Sequence, residues 1–576
     1  MTDPMAHGEE GGAGSFWRRY VFATDHKTIG LQYFFAAVFF LFAGFLMMML
    51  MRWQLAYPWK PIPWFGKFLP ARLAPNGSMG PDLYNMLGAM HGTVMIFLGI
   101  APLGFAAFGN YVLPLQIGAR DMAFPRLNMA SFWLFLMGGI LMLSSFWLPG
   151  GAIQSGWTSY PPLSIINPGQ TVWIIAMVLI ITSSLLGAIN FITTTLNERA
   201  PGMSLMRLPI FVWTQLITSI ILLLAFPPVE AAAVLLLMDR VAHTSFYVPA
   251  GVVVLGEALN RSGGGSPLLW QHLFWFLGHP EVYVLLLPPL GIVAEVLANG
   301  TRKPIYGYRV IVGSLLSLCL LSFIVWAHHQ FVSGLFAGLA NFFLMTTLTI
   351  SIPVVLVVTC YVWTLKGGSI RFTTPMLFAL AFLPMFGIGG LTGLPLGTHV
   401  TDIYLHDTYF VIAHFHYVVS NGIMIALFAG IYYWYPKWFG RMMDERLGKI
   451  HFWTTIIALN GLFFPMFIQG LAGMQRRLFD PGAQVHNRLV APLNVFISFM
   501  AAVLLLGQLP FLYNFFVSLW KGEKAPENPW EATTLDWACP SPPPHGNFEK
   551  PPRAYRGPYE YSAGDGSRDC LPQGTA

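Results

Sequence analysis

Long apolar runs recur along the whole chain, at approximately 29–51, 86–110, 130–148, 172–196, 208–238, 267–298, 307–327, 335–364, 375–393, 407–434, 452–472 and 490–518. A helix needs roughly 20 apolar residues to cross a hydrocarbon core of about 30 Å. The pattern therefore predicts an all-α polytopic membrane protein, a bundle of twelve transmembrane helices. The expected organisation is an N-terminal tail over 1–28, a helical domain over 29–518 and a polar, Pro-rich tail over 519–576. The opening MTDPMAHGEEGGAGSFWRRY has no apolar core before a cleavage site and reads as a frayed tail. The final segment, with CPSPPPHGNFEKPPR, reads as extended and lying on the surface.

Composition strengthens this picture. The 576 residues are 55% hydrophobic and only 10% charged. A soluble domain carries far more charge, so lipid is the main solvent. The net charge of +6 sits in loops and tails, where it speaks to topology and not to nucleic acid. Arg120, Arg126, Arg199, Arg207, Arg302, Lys303, Lys366, Arg371, Lys437, Arg441, Arg446 and Lys449 fall on the N-terminal side, whereas 149–171, 328–335 and 394–406 have no Lys or Arg. The positive-inside rule then makes both termini cytoplasmic, as expected in a bacterial inner membrane. Arg52, Arg476 and Arg477 are conspicuous on the outer side and call for an anionic partner. The four cysteines are scattered and suggest neither a disulfide framework nor a thiolate metal centre.

An ionisable side chain inside a membrane bundle is costly and marks function by default. Six histidines qualify: His91, His279, His328, His329, His414 and His416. The alternating direction of the helices brings all six into the outer half of the bilayer, a shared depth that unrelated core histidines would not have. At about 100° per residue, His414 and His416 point roughly 200° apart, so one helix can serve two cofactors. His279 and Tyr283 share a face. His328 and His329 reach one ion together only with a third ligand from another helix; three neutral imidazoles suit a redox-active copper, and single imidazoles suit haem iron.

With AMHGTVMIF, GARDMAFPRLN, WFLGHPEVY, HHQF, HDTYFVIAHFHYV and GMQRR, the chain resembles subunit I of the haem–copper oxidases over nearly its full length, from ATDHKTIG to PSPPPHGNF. The resemblance implies that His91 and His416 ligate a low-spin haem and that His414 is the proximal ligand of a high-spin haem. It gives His279, His328 and His329 to a copper ion. Tyr283 would be linked covalently to His279 and supply an electron and a proton for O–O cleavage. Arg476 and Arg477 match the pair that binds haem propionates, which suits bidentate guanidinium–carboxylate bonding. His406 and Asp407 match magnesium ligands, and Arg52 matches an arginine beside the formyl group of haem A.

The family's aspartate proton path is also matched: Asp121 flanked by Asn110 and Asn128, then Ser183 and Ser184, then Glu281, where burial favours the acid form ready to donate and be refilled. The family's lysine path is not. Its lysine, threonine and serine positions are Val357, Val354 and Ala294. Protons either share the aspartate path or use a rearranged one, for which Thr347, Thr349, Ser351, Thr359 and Cys360 are candidates. The resemblance further implies O2 as substrate, proton pumping, and electrons from a cytochrome c-type donor through a subunit II with a di-copper centre, alongside subunit III and small subunits. Leu83 and Met86 stand where the quinol-oxidising branch usually has His and Gln, and Asp407 is absent from that branch. A nitric oxide reductase would lack Tyr283 and the aspartate path. A secondary transporter, the third alternative, predicts broken helices and no haem.

Overall fold

The computed structural model describes residues 16–254, 257–259, 263–562 and 569–576. The frayed tail expected at the N-terminus lies mostly outside these residues. The main helices are α1 (His26–Ala56), α2 (Pro81–Ile117), α3 (Pro125–Trp147), α4 (Gln170–Asn197), α5 (Ile210–Val241), α6 (Pro267–Thr301), α7 (Tyr308–Ser322), α8 (Ala337–Leu365), α9 (Thr374–Leu396), α10 (Tyr409–Phe439), α11 (Glu445–Leu471) and α12 (Leu493–Lys521). Each matches one apolar run. Eleven are long and apolar enough to cross a membrane, while α7, with 15 residues, is shorter. A two-residue hairpin, Val253–Val254 against Glu257–Ala258, is the sole sheet among the described residues.

Local chemistry sets the helix ends. The Asp25 carboxylate accepts the amides of Lys27 and Thr28, satisfying free donors at the start of α1. Asp444 does the same for α11 through Leu447. α2 stops at Gly118, whose φ of 76° closes the helix in the left-handed conformation. A Cβ there would stand 2.7 Å from the Ala200 side chain, so glycine is needed on two counts.

α6 is the hub of the bundle. Its apolar window is 94% buried, against 22% for α8 at the rim. Pro280, Pro288 and Pro289 lie inside α6, and π-helical turns interrupt α2 (Val94–Ile100, Pro102–Ala107) and α10 (Val419–Met424). Such turns re-aim side chains within an otherwise continuous helix and are frequent at functional sites.

Both described ends of the chain lie at one end of the bundle. His26, first residue of α1, donates from Nδ1 to the Asn110 carbonyl at 2.7 Å and accepts from Asn547 of the tail at 2.8 Å. The tail, expected to be extended and to lie on the surface, is fixed to the bundle by side-chain contacts. Trp434 donates to Asp536 at 2.9 Å, Lys437 Nζ to the Cys539 carbonyl at 2.6 Å, and Arg302 pairs with Asp569 at 2.7 Å. Asp536, Trp537, Asn547 and Gln573 are all buried. Proline rigidity lowers the entropy lost on docking, so a segment poor in apolar residues can still be held by polar contacts.

Candidate functional site

α6 carries His279 and Tyr283 into the middle of the bundle. The apolar run predicted at 307–327 does not deliver His328 and His329 on its own helix. α7 ends at Ser322, and a separate 3₁₀ turn, Trp326–Gln330, holds both. Successive residues on an α-helix point about 100° apart, so leaving the helix lets two adjacent rings turn to one point. His279 Nδ1 lies 3.1 Å from His328 Nε2, and that atom lies 3.1 Å from His329 Nε2. The three rings bring their ligating nitrogens within 4.8 Å of one another.

The surroundings orient these rings. Thr347 gives its hydroxyl proton to the Phe343 carbonyl at 2.5 Å, so its oxygen accepts from His328 Nδ1 at 2.8 Å. His328 Nε2 is left as a bare lone pair facing its two neighbours. His329 stacks on Trp275 at 3.8 Å. The His279 ring lies 4.9 Å from the Tyr283 ring, and its buried Nε2 has no hydrogen-bond partner. Three lone-pair nitrogens turned toward one another repel unless a cation sits between them, and an open three-imidazole set fits copper.

The other three histidines share one device. His91 donates from Nδ1 to the Gly44 carbonyl at 2.8 Å, His414 to Gly389 at 2.9 Å and His416 to Ile412 at 2.8 Å. A backbone acceptor on Nδ1 fixes the tautomer and leaves Nε2 free to bind metal. His414 is directed at α9, where a Cβ on Gly393 would stand 2.9 Å from its ring. His416 instead stacks on Phe463 of α11 at 4.4 Å. The two rings therefore face different neighbouring helices of α10.

Polar groups crown this layer. Arg476 Nε lies 3.2 Å from Asp407, and its amide donates to the Asp407 carbonyl at 2.9 Å. Burial, reinforced by Arg477, lowers the Arg476 guanidinium to about 10, still cationic at neutral pH. His406 pairs with the buried Asp402 at 3.2 Å. Arg52, expected just beyond its helix, lies inside the last turns of α1 because that helix runs on to Ala56. It is 1% exposed, donates to Asn494 at 2.7 Å and Ser498 at 3.2 Å, and has the Tyr409 hydroxyl beside it, while Nη1 is buried without a well-formed hydrogen bond.

Below the histidines a cavity of about 30 Å³, room for water, runs between Asn110 and Glu281. Tyr33, Ser131, Ser183 and Ser184 also line it. Asn128 donates to Asn110 at 2.7 Å, Ser183 to the Ser131 carbonyl at 2.6 Å, and Tyr33 lies 2.9 Å from the Ser131 hydroxyl. Both Glu281 carboxyl oxygens are buried without partners. Asp121 occupies the loop at the terminal end, where burial raises its carboxyl above the usual range while His26 opposes the shift.

Sequence reasoning passed over Tyr33, Ser131, His26 and Asp402. Each is a polar residue in or beside an apolar run, which is the signal that could have found them. The rearranged path fares worse. Thr349 and Thr359 are exposed on the rim face of α8, and the Thr349 hydroxyl closes on the Met345 carbonyl. Ser351 is tied to the Thr347 carbonyl at 3.4 Å, Cys360 packs against Gly307, and Val357 is fully buried. The Thr347, Thr349 and Ser351 hydroxyls turn back onto carbonyls of the helix that carries them, and the buried Val357 interrupts the polar positions.

Comparison with known proteins places the chain in a family. The family described as "Cytochrome C and Quinol oxidase polypeptide I" matches residues 28–532. The chain is 46% identical over 550 residues to cytochrome c oxidase subunit 1 of Synechocystis sp., covering 95% of this chain and 93% of that one. It is 43% identical to the alternative cytochrome c oxidase subunit 1 of Bradyrhizobium diazoefficiens (97% and 93% covered) and 39% identical to the subunit 1 of Cereibacter sphaeroides (96% and 98%). A solved haem–copper terminal oxidase dimer superposes with a TM-score of 0.67 at 17% identity over 86% of this chain and 84% of that chain, a likeness of fold. Family members work with haem and copper in multi-subunit membrane complexes. The chain belongs to the cytochrome c and quinol oxidase polypeptide I family, the catalytic subunits of the haem–copper oxidases.

Proposed function

We propose that this chain reduces O2 to water with electrons from a cytochrome c-type donor, relayed by a subunit II carrying a di-copper centre, and couples the reaction to proton translocation. The observation that carries this reading is the convergence of His279, His328 and His329, with one nitrogen lone pair freed by Thr347. His91 and His416 would hold a low-spin haem, His414 a high-spin haem, and the three-histidine set a copper ion. When bound, the high-spin haem and the copper supply the place where O2 takes up four electrons and four protons.

The remaining work falls to side chains. Asp121 collects protons from the cytoplasm; the Asn110–Asn128 pair, Tyr33, Ser131, Ser183 and Ser184 hold water along the cavity; Glu281, unpartnered at its upper end, passes protons on. The Tyr283 ring lies 4.9 Å from that of His279, whose Nε2 is unpartnered; Tyr283 would take the covalent link expected in the family and give up a proton at the site. Arg476 and Arg477 offer cationic donors to haem propionates. The orphaned Nη1 of Arg52 asks for an acceptor, and a formyl oxygen fits, which favours haem A. His406 and Asp407 supply an imidazole and a carboxylate for magnesium at the outer side. Leu83 and Met86 are buried and apolar, which argues against quinol as donor. Subunit III and small subunits would cover the exposed rim, with both termini in the cytoplasm of a bacterial inner membrane.

Metal and haem analysis of the purified complex, with oxygen uptake driven by reduced cytochrome c, tests the reading. Two haems and one copper in this chain, with uptake, support it; a chain without haem overturns it.

A further inference from the structure

The path through Asp121 leaves one buried acid unused. Glu295 lies on α6, fourteen residues after Glu281 and about 40° from the same face, roughly 21 Å along the axis. It is 3% exposed. Its Oε1 accepts the Tyr559 hydroxyl of the tail at 2.5 Å and the Phe211 amide at 3.4 Å, and Tyr559 in turn accepts the Ile210 amide at 2.7 Å. Capping the start of α5 explains an acceptor here, but not an acid. No Lys or Arg pairs with Glu295 among the described residues; the Gln116 side chain and another acid, Asp536, lie nearby. A carboxyl in that setting exchanges a proton more readily than it keeps a fixed charge.

From Glu295 a polar line rises along α5. Thr214, Gln215, Thr218 and Ser219 are all fully buried; the Thr214 and Ser219 hydroxyls donate to the Phe211 and Gln215 carbonyls of their own helix, which leaves their oxygens free only to accept. Gly291, one turn from Glu295, leaves the space where a Cβ would stand 2.4 Å from Thr214 Oγ1. Gln215 donates to the Gly104 carbonyl at 3.0 Å, but its Oε1 has no partner, nor has Thr218 Oγ1. A Cβ on Gly109 would stand 3.2 Å from that Gln215 oxygen and 2.8 Å from Phe191, a cavity residue; Leu222, the next turn of α5, lines the same cavity. Orphaned oxygens on one face of a membrane helix are costly unless water meets them.

We propose that Glu295 is a second proton entrance: it takes a proton from the cytoplasmic side through the Tyr559 hydroxyl and releases one to water held by Thr214, Gln215 and Thr218, which joins the Asn110–Glu281 cavity. Each proton taken up is matched by one released, so the acid is restored. The line supplies a route where Val357 has closed the one expected along α8. This inference rests on the reading of the cavity as a proton path.

The test uses the intact oxidase complex carrying Asp121→Asn, Glu295→Gln, and both, with the haem spectrum reporting assembly. Each single variant should retain part of the oxygen uptake, the double should fall at least tenfold below either, and Glu295→Gln should lose one carboxylic C=O band from the redox infrared difference spectrum. A double variant no slower than Asp121→Asn alone, or an unchanged infrared spectrum, overturns the proposal. If Glu295→Gln does not assemble, Gln215→Leu leaves the α5 cap intact and asks the same question. Its combination with Asp121→Asn should be equally slow, and additivity absent there also overturns the proposal. Failure of the underlying function is separate: the unaltered complex would then show no oxygen uptake, or Asp121→Asn alone would have no effect.

Discussion

Thr347 fixes the tautomer of His328. Its hydroxyl proton is committed to the Phe343 carbonyl, so Oγ1 accepts the Nδ1–H at 2.8 Å and Nε2 keeps its lone pair for the metal. Thr347→Val keeps the shape but removes the acceptor. Copper affinity should fall about 10- to 100-fold, as for other lost partners of metal-binding imidazoles. The copper-to-iron ratio after dialysis against a chelator checks this, and an unchanged ratio would remove Thr347 from the site.

Asp121 should govern proton delivery. Asp121→Asn keeps the size and the amide contact while removing the exchangeable proton, so oxygen uptake should drop several-fold with the haem spectrum unaltered. Turnover at the wild-type rate would show that protons bypass this loop.

Arg52 offers a further optical test. Its unpartnered Nη1 is expected to donate to a formyl group on the low-spin haem. Arg52→Ala should move the visible absorption band of that haem to shorter wavelength, because a hydrogen bond that draws charge onto the formyl is lost. The high-spin haem should not change. Resonance Raman spectra of the formyl stretch provide the measurement, and an unshifted stretch would count against haem A at this position.

Acid should loosen the start of α1. Burial raises the Asp25 carboxyl, but His26, Lys27 and the Lys27 and Thr28 hydrogen bonds outweigh it and hold the group at about 2, below its ordinary 3.8. A value depressed in the folded state means the stabilisation is full above about pH 4 and is lost as pH falls toward 2. Asp25→Ala should cost about 1 kcal/mol at neutral pH, the usual worth of an N-cap. The gap in thermal stability between the two proteins should close between pH 4 and pH 2; a gap independent of pH would reject this account.

The helical membrane class, the six histidines and the roughly 200° between His414 and His416 were legible before any coordinates, because hydrophobic length and the 100° turn of a helix act locally; their division between two haems and a copper was what the family resemblance implied. The long motifs added the roles of Arg476, Asp407 and Glu281. Other features were not legible. Nothing local says that α7 stops at Ser322 so that a 3₁₀ turn can aim His328 and His329 together. The contacts that hold the Pro-rich tail were not legible either, since its partners Trp434, Lys437 and Arg302 are distant in sequence.

Periodicity and residue type along the chain determined which ionisable side chains fall within or beside membrane-spanning helices. Only the tertiary structure decided which hydroxyl orients which imidazole, which acids face water-sized space, and why Thr349 and Thr359 point outward from the bundle while Gln215 and Glu295 point into it. The physical reason is that hydrophobic spacing records the average surroundings of a helix face, whereas a hydrogen bond or a proton path depends on ångström-scale distances between helices far apart in sequence.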